Sequence, residues 1–593
     1  MNTTEERLAA LRAQMKNNGI DAAIIPQADP HMSEYIASHW QARRWLSGFN
    51  GSAGTLVVPA SAPAMLWTDS RYFLQAEAQL EGSEIQLMKE GLPETPSIEE
   101  WLTAHLQAGA TVGVDGMLYS TGAMRSLRAA LKSRGILLDT GFDPLPAIWA
   151  DRPALPKCTV FVHEEKYAGR SAADKIADAL EEARRHGADA VFVSALDQTA
   201  WLLNIRSRDV KYNPVATAFT YLGPEGNLLF IDRDKVGDDV AAYLASQGVQ
   251  MCPYGSVKDF AASLSTQRRV LLDPASTAYG IMEAFGDRAV ESTSPLAMPK
   301  ACKNEVQVAG VREAMRRDGA ALVHAVMELE RRLGAGETIT EMDVAEILLR
   351  HRSAMPLFFD ESFGTIAGYG PHGAIVHYEA DEVSNATLRP EGLLLIDSGA
   401  QYLDGTTDIT RTICLGDPTQ QERADFTLVM KGHIALATAI FPEGTCGTQL
   451  DALARQYLWQ HGLSYLHGTG HGVGHFLNVH EGPQSIRLNY VPAPLTPGMI
   501  TSNEPGLYRA GVHGIRCENL VLTVPAFDTE FGRFYKFETL TLFPFDTRLL
   551  ATEMMTEDEL TWINRYHAHV YDTLAPALDE HAREWLRAKT EAI

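Results

Sequence analysis

The hydrophobic pattern changes period along the chain, and each change predicts an element. The first 26 residues, MNTTEERLAALRAQMKNNGIDAAIIP, carry an amphipathic helical pattern and then an apolar run, which predicts a helix followed by a strand. Short apolar runs at 22–25, 55–58 and 65–68 predict strands within an α/β pattern up to about residue 145. Breaks at Pro144, Pro153 and Pro156 suit a boundary. A second unit opens at about 157, with a strand at 158–162, a helix at 172–185, a strand at 190–196 and then WLLNIR. RRWLSGFNGSAGTLVV (43–58) and TAWLLNIRSRDVKYNPV (199–215) each place Trp-Leu before an irregular loop and a strand, and each follows a helix–strand unit. Two related α/β domains in tandem would explain this weak repeat.

Pro295 and Pro299 mark the next boundary. Val308, Val311, Met315, Leu322, Val326 and Leu329 then fall near helical spacing, predicting a long helix over 304–333 that Gly334 and Gly336 end. Thr340 with Asp343 forms a capping-box pattern opening a further helix through 349. Beyond His351 the texture is one of Gly-rich strands and turns up to about 545. A tail over 556–586 reads as helical, with Thr556 and Glu559 as capping box and Leu560, Ile563, Val570, Leu574 and Leu578 on one side; a cap or interface element is its expected role. The expected class is α/β (α+β), divided at 1–150, 151–302, 303–545 and 546–593.

Composition narrows the class. The 593 residues are 45% hydrophobic and 21% charged, which excludes a wholly disordered chain, a collagen-like fibre and a disulfide scaffold. The longest apolar runs, such as Leu393-Leu394-Leu395-Ile396, fall far short of the ~20 residues of a membrane span. A net charge of −24 argues against nucleic acid or an anionic membrane as main partner. The six cysteines are scattered without a Cys-x-x-Cys pair, so neither a thiolate zinc site nor a redox motif is supported and a reducing compartment fits. No secretory signal pattern is seen, and cytoplasm is the expectation.

The chemistry concentrates between 372 and 518. HGTGHGVGHFLNVH places His467, His471, His475 and His480 in fourteen residues, interleaved with four glycines. Each glycine would cost a helix ~1 kcal/mol relative to Ala, so a strand or loop passing close to something is expected. Metal binding or proton transfer would explain the histidines. The apolar run 393–396 ends in Asp397, and Asp408 opens DITRTICL eleven residues later. A strand, turn and returning strand would bring them together, and two buried carboxylates repel unless a cation or a shared proton intervenes. Glu504 in TSNEPGLY and Glu518 in GIRCENLVL sit at or within strand-like segments. Asp397, Asp408, His471, Glu504 and Glu518 supply four carboxylates and one imidazole. Their charge balances two divalent cations, and a bridging hydroxide would leave about −1. Oxygen-rich ligation favours hard ions such as Mn²⁺.

The segments LIDSGAQYLDGTTDITRT, HGTGHGVGHFLNVHEGP, SNEPGLY and GIRCENLVL resemble the pita-bread dinuclear metallopeptidases, and among them the three-domain Xaa-Pro aminopeptidases. WTDSRYFLQA (67–76) is similar to that family's first domain and ALDQTAWLLNIRSRDVKYNP (195–214) to its second, so the likeness covers nearly the whole chain. It implies two tandem creatinase-N-like domains, a C-terminal pita-bread catalytic domain and a short helical tail. It also implies removal of the N-terminal residue from peptides with proline second. Asp397 would chelate one metal, His471 and Glu504 the other, and Asp408 and Glu518 both, with Mn²⁺ the expected ion. A hydroxide between the metals would attack the carbonyl, and Glu504 would move its proton to the proline nitrogen. His377 would stabilise the tetrahedral intermediate, His480 would bind substrate, and His467 would line the proline pocket. Tyr508 and Arg516 would orient the ligands. His475 matches no role, and Cys517 reads as core.

The resemblance further implies a homodimer acting on proline-containing peptides. Three alternatives stay open. A prolidase would keep the site and take Xaa-Pro dipeptides. A creatinase-like hydrolase would lack the metal set, and a non-catalytic binding relative would have lost ligands.

Overall fold

Two six-stranded sheets with the same topology open the structure, a computed structural model that describes residues 3–593. In the first, Ala22–Pro26 is central; Thr55–Pro59 and Met65–Thr68 follow antiparallel on one side, with Gln86–Lys89 parallel at that edge. Thr111–Gly113 and Leu137–Asp139 run parallel on the other side. The second sheet repeats this arrangement around Ala190–Val193. Ala218–Leu222, Asn227–Ile231 and Val249–Cys252 lie on one side, Val270–Leu272 and Ala289–Glu291 on the other, with the same directions.

The two Trp-Leu segments hold equivalent places. Each lies on a short helix, Ala42–Ser47 or Leu196–Leu203, between the central strand and its antiparallel neighbour. Two expectations shift at their ends. The strand at 190–196 stops at Val193, because Leu196 already begins the helix that Asn204 closes in a left-handed conformation (φ 50°). Of 158–162, only Phe161–Val162 is paired, on Ile205–Arg206.

The chain divides into two compact units, one of residues up to Glu165 with Arg170–Ala297, the other of Lys166–Gly169 with Met298–Ile593. Both N-terminal sheets belong to the first. In the second, Glu305–Gly334 is a thirty-residue helix whose Asn304 and Gln307 form a capping box. Thr340 and Asp343 cap Glu341–Ser353 in the same way. The tail forms Glu557–Leu574, capped by Thr556 and Glu559, then breaks at Pro576 before Glu580–Lys589.

The Gly-rich stretch beyond 351 contains more helix than its texture predicts. Gln420–Ala437 and Gly447–Trp459 both lie within it. Gly432 sits mid-helix because a Cβ there would lie 2.0 Å from the Ala454 carbonyl oxygen, so its absence lets the two helices touch. The strands form two three-stranded sheets, one sheet of six strands and a two-stranded hairpin of Gly506–Arg509 with His513–Arg516. One small sheet joins Ile366–Tyr369, Leu393–Ser398 and Ile409–Cys414; the large one includes Gly470–Gly472, Ile500–Asn503 and Asn519–Thr529. Helix faces and sheet faces share one apolar core, running from Val311 and Leu322 through Leu394, Phe426 and Leu520 to Ile563 and Leu574 in the tail.

Candidate metal centre

Each acidic residue of interest stands at the end of a buried strand. Asp397 lies in Leu393–Ser398, opposite Thr410 of the antiparallel Ile409–Cys414, and Asp408 immediately precedes that partner strand. Glu504 directly follows Ile500–Asn503, and Glu518 directly precedes Asn519–Thr529, the strand it pairs with. His471 is the middle residue of Gly470–Gly472 in the same sheet. Its neighbour Gly470 is obligatory, since a Cβ would meet the Ser502 carbonyl oxygen at 2.0 Å.

Asp408, His471 and Glu518 offer ligand atoms that all lie within 4.8 Å of one another. His471 Nε2 lies 3.5 Å from Asp408 and 3.4 Å from Glu504. His471 Nδ1 is 2.9 Å from the Gly472 carbonyl, so that nitrogen carries the proton and Nε2 faces the carboxylates. Ser502 Oγ accepts from the His471 amide at 2.9 Å and donates to Glu504 at 3.1 Å.

Asp397 enters through Arg516, whose Nη2 donates to it at 2.6 Å. The same guanidinium donates through Nη1 to the Tyr508 hydroxyl at 2.7 Å and through Nε to Thr410 Oγ at 3.1 Å. Thr410 Oγ in turn donates to Glu518 at 2.7 Å. His467 Nε2 lies 2.9 Å from the Tyr508 hydroxyl. The His480 ring packs edge-on to His471 at 4.3 Å, and His377 stacks near His480 at 6.3 Å. Thus the structure brings together all ten residues singled out from sequence. His475 is buried. Cys517 is core, and burial pushes its thiol up to about 12. Thr410 and Ser502 were not singled out, although Thr410 stands two residues from Asp408 in the quoted motif.

The electrostatics are those of an acidic cluster with too few cations. Burial raises Asp397, helped by the charge of Asp408 and opposed by Arg516. Burial and the neighbouring carboxylates raise Glu518 well above the carboxylate range. Glu504 rises to about 7, through burial against the pull of His471 and Arg516. Burial lowers His471, but Asp408 and Glu504 overcome it and lift the imidazole to about 9. Asp397 Oδ1 is buried with no hydrogen-bond partner among the described residues. A buried, unpartnered carboxylate oxygen beside three further carboxylates and an imidazole set in the ligating tautomer fits hard divalent cations.

Comparison with known proteins agrees. Metallopeptidase family M24 matches residues 309–525, and the C-terminal region of peptidase_M24 matches 533–593. The creatinase/prolidase N-terminal domain matches twice, at 7–141 and at 151–307. A Neosartorya fischeri protein named Probable Xaa-Pro aminopeptidase P is 43% identical, over 100% of this chain and 93% of its own length. One of the same name from Aspergillus niger is 41% identical, over 100% and 99%. The crystal structure of X-prolyl aminopeptidase from Caenorhabditis elegans, described as a cytosolic enzyme with a di-nuclear active site, superimposes with a TM-score of 0.97 at 34% identity, covering 100% of both chains. The chain belongs to the M24 metallopeptidases and, within them, to the Xaa-Pro aminopeptidase P family.

Proposed function

We propose that this protein is a Xaa-Pro aminopeptidase that removes the N-terminal residue from peptides with proline in second position. It is a metal-dependent hydrolase of the M24 family. The observation that carries the reading is the convergence of Asp397, Asp408, His471, Glu504 and Glu518 on one buried site with His377 and His480 beside it.

Asp397, Asp408, His471, Glu504 and Glu518 would hold two divalent ions, for which Mn²⁺ is our proposal on the oxygen-rich ligand set. Bound there, the ions would acidify a water and polarise the substrate carbonyl. Glu504 accepts the proton of the attacking water and passes it to the leaving proline nitrogen, which has no proton of its own in the peptide bond. In the metal-free site burial lifts this carboxyl to about 7, well above the ordinary carboxylate range. His377 donates to the oxygen on which charge develops, and His480, against His471, orients the substrate. His467 lines the proline side, fixed by Tyr508. Arg516 holds Asp397 and Tyr508 in place from one guanidinium.

The remaining finer readings are proposals too. The division 1–150, 151–302, 303–545 and 546–593 is supported by four separate family matches with similar limits. A cytoplasmic homodimer is proposed, the location supported by six scattered cysteines, none paired in a disulfide among the described residues, and by a relative described as cytosolic. No helix among the described residues is long and apolar enough to cross a membrane.

The test uses metal-stripped protein with and without Mn²⁺, on Xaa-Pro-Xaa tripeptides and Xaa-Pro dipeptides. Mn²⁺-dependent release of the first residue from the tripeptide, with little dipeptide cleavage, is the expected result. Preference for the dipeptide would make the protein a prolidase and leave the metal site standing. Activity on neither, with no metal retained, would overturn the catalytic reading.

A further inference from the structure

The carboxylate of Glu341 is fully buried, far in sequence from every site residue, and surrounded by donors. Glu341 is the first residue of the helix Glu341–Ser353. Its Oε1 accepts from the Tyr369 amide at 2.8 Å and lies 2.8 Å from His372 Nδ1. Its Oε2 accepts from the Tyr378 hydroxyl at 2.7 Å and from the Ala386 amide at 2.8 Å. Its own amide donates to the Ala386 carbonyl at 3.0 Å.

These partners bracket one segment. Tyr369 and His372 precede His377, while Tyr378 and Ala386 follow it. Between them the chain is 3₁₀ turn and irregular loop, with no ladder bonds at His377 itself. A loop of that kind would ordinarily spread over many conformers, and ordering each residue costs ~1–2 kcal/mol. One carboxylate closes it from both sides. The rings of His372 and Tyr378 pack at 4.6 Å across the same carboxylate, which fixes the residue next to His377 in ring as well as hydroxyl. Gly373, inside the loop, backs onto Gly514, where a Cβ would meet the Gly373 carbonyl oxygen. Gly514 lies two residues from Arg516. The loop is therefore closed from both sides by Glu341 and seated, at Gly373, on the hairpin that carries Arg516.

We propose that Glu341 is a positioning residue for the reaction: it sets the place of His377 relative to His480 and the metal ligands without touching substrate. The inference rests on the reading above that His377 acts on the substrate. Glu341→Gln tests it. The amide keeps the shape but offers one accepting oxygen where four donors converge, and its NH₂ must face an N–H or O–H. A displacement of His377 by about 1 Å is enough to cost roughly 10²-fold.

The experiment is a double-mutant cycle on the metal-loaded full-length enzyme with a Xaa-Pro-Xaa tripeptide, reading kcat, KM and bound metal. Glu341→Gln is expected to lower kcat roughly 10- to 100-fold, with KM and metal content unchanged. In a His377→Ala background the same change is expected to cost nothing further. Tyr378→Phe, which removes a single donor, should show the same pattern at a smaller size, and it decides the matter if Glu341→Gln does not fold. A loss that persists at full size in the His377→Ala background, or one that follows lost metal, overturns the proposal alone. Wild-type turnover in His377→Ala would instead remove the reading on which it rests.

Discussion

Buried charge is handled in two different ways, at the Asp209–Lys235 pair and at the candidate metal centre, and the contrast locates the chemistry. In the N-terminal unit Asp209 and Lys235 are both fully buried and face each other; Asp209 also accepts from the Thr217 amide at 2.7 Å and the Cys158 amide at 3.2 Å. One acid meets one base, and the remaining lone pairs meet backbone donors. The catalytic unit does the same away from its site, where Arg352 grips Asp318 with bonds of 2.9 and 3.0 Å. At the site the balance fails. Asp397, Asp408, Glu504 and Glu518 share Arg516 and His471, and an oxygen of Asp397 has no hydrogen-bond partner among the described residues. A paired buried charge is structure, whereas a buried surplus of one sign marks the place of something the chain must bind.

The largest effects should break the surplus itself. Asp408→Asn removes a charge from the centre of the group and should lower kcat by at least about 10³-fold while loosening metal. Turnover with metal analysis on the same sample checks it, and near wild-type turnover with full metal would refute the ligand assignment. Arg516→Met should be milder, roughly 10- to 100-fold in activity or metal affinity, because it frees Asp397, Tyr508 and Thr410 without removing a ligand. A variant with unchanged metal affinity and kcat would show that the guanidinium orients nothing.

The paired side of the contrast predicts the opposite outcome. Asp209→Asn leaves Lys235 buried without its counter-charge and should cost about 3–5 kcal/mol of stability. Turnover per folded molecule should stay within about twofold, since no ligand is touched. Denaturation alongside activity at low temperature separates the two. A fall in kcat with stability intact would mean that this pair, too, serves the reaction.

Legibility in the sequence followed locality. The capping boxes at Thr340 and Thr556 and the strand ending in Asp397 are short-range patterns, and the structure repeats them. The ligand set was visible because strand ends deliver charged residues to one place, and because alternating glycines and histidines are costly unless used. The helices at Gln420–Ala437 and Gly447–Trp459 were hidden by their surroundings. Gly432 weakens the helical signal locally, yet it is there for a contact with a helix more than twenty residues away. Glu341 was hidden for a similar reason, because its partners lie 28 to 45 residues downstream and are mostly backbone amides and rings. A lone acid at a helix start reads as a dipole partner until the fold shows what converges on it.

The smallest effect sharpens the contrast most, because it follows protons. Without metal, His471 stands near 9 and Glu504 near 7. Both are raised above their ordinary values, so the folded metal-free protein holds more protons than the unfolded chain. The stability this brings is fully present below the unfolded values. For Glu504 it is lost as pH rises from about 4.5 to about 7, and for His471 as pH rises from about 6.5 to about 9. Glu518, raised well above its ordinary 4.5, acts in the same direction. Metal binds the deprotonated ligands, so its affinity grows over the same window while the metal-free fold weakens. The rise in Tm on adding Mn²⁺ should therefore grow steadily from pH 5 to pH 9. Calorimetry at pH 7 in buffers of different ionisation enthalpy should also show proton release on binding. The Asp209–Lys235 pair binds no metal and should contribute nothing to either signal, so Asp209→Asn should leave the slope unchanged. A metal-induced rise that is flat with pH, or binding without proton release, would mean that the carboxylate cluster is not where the metal goes.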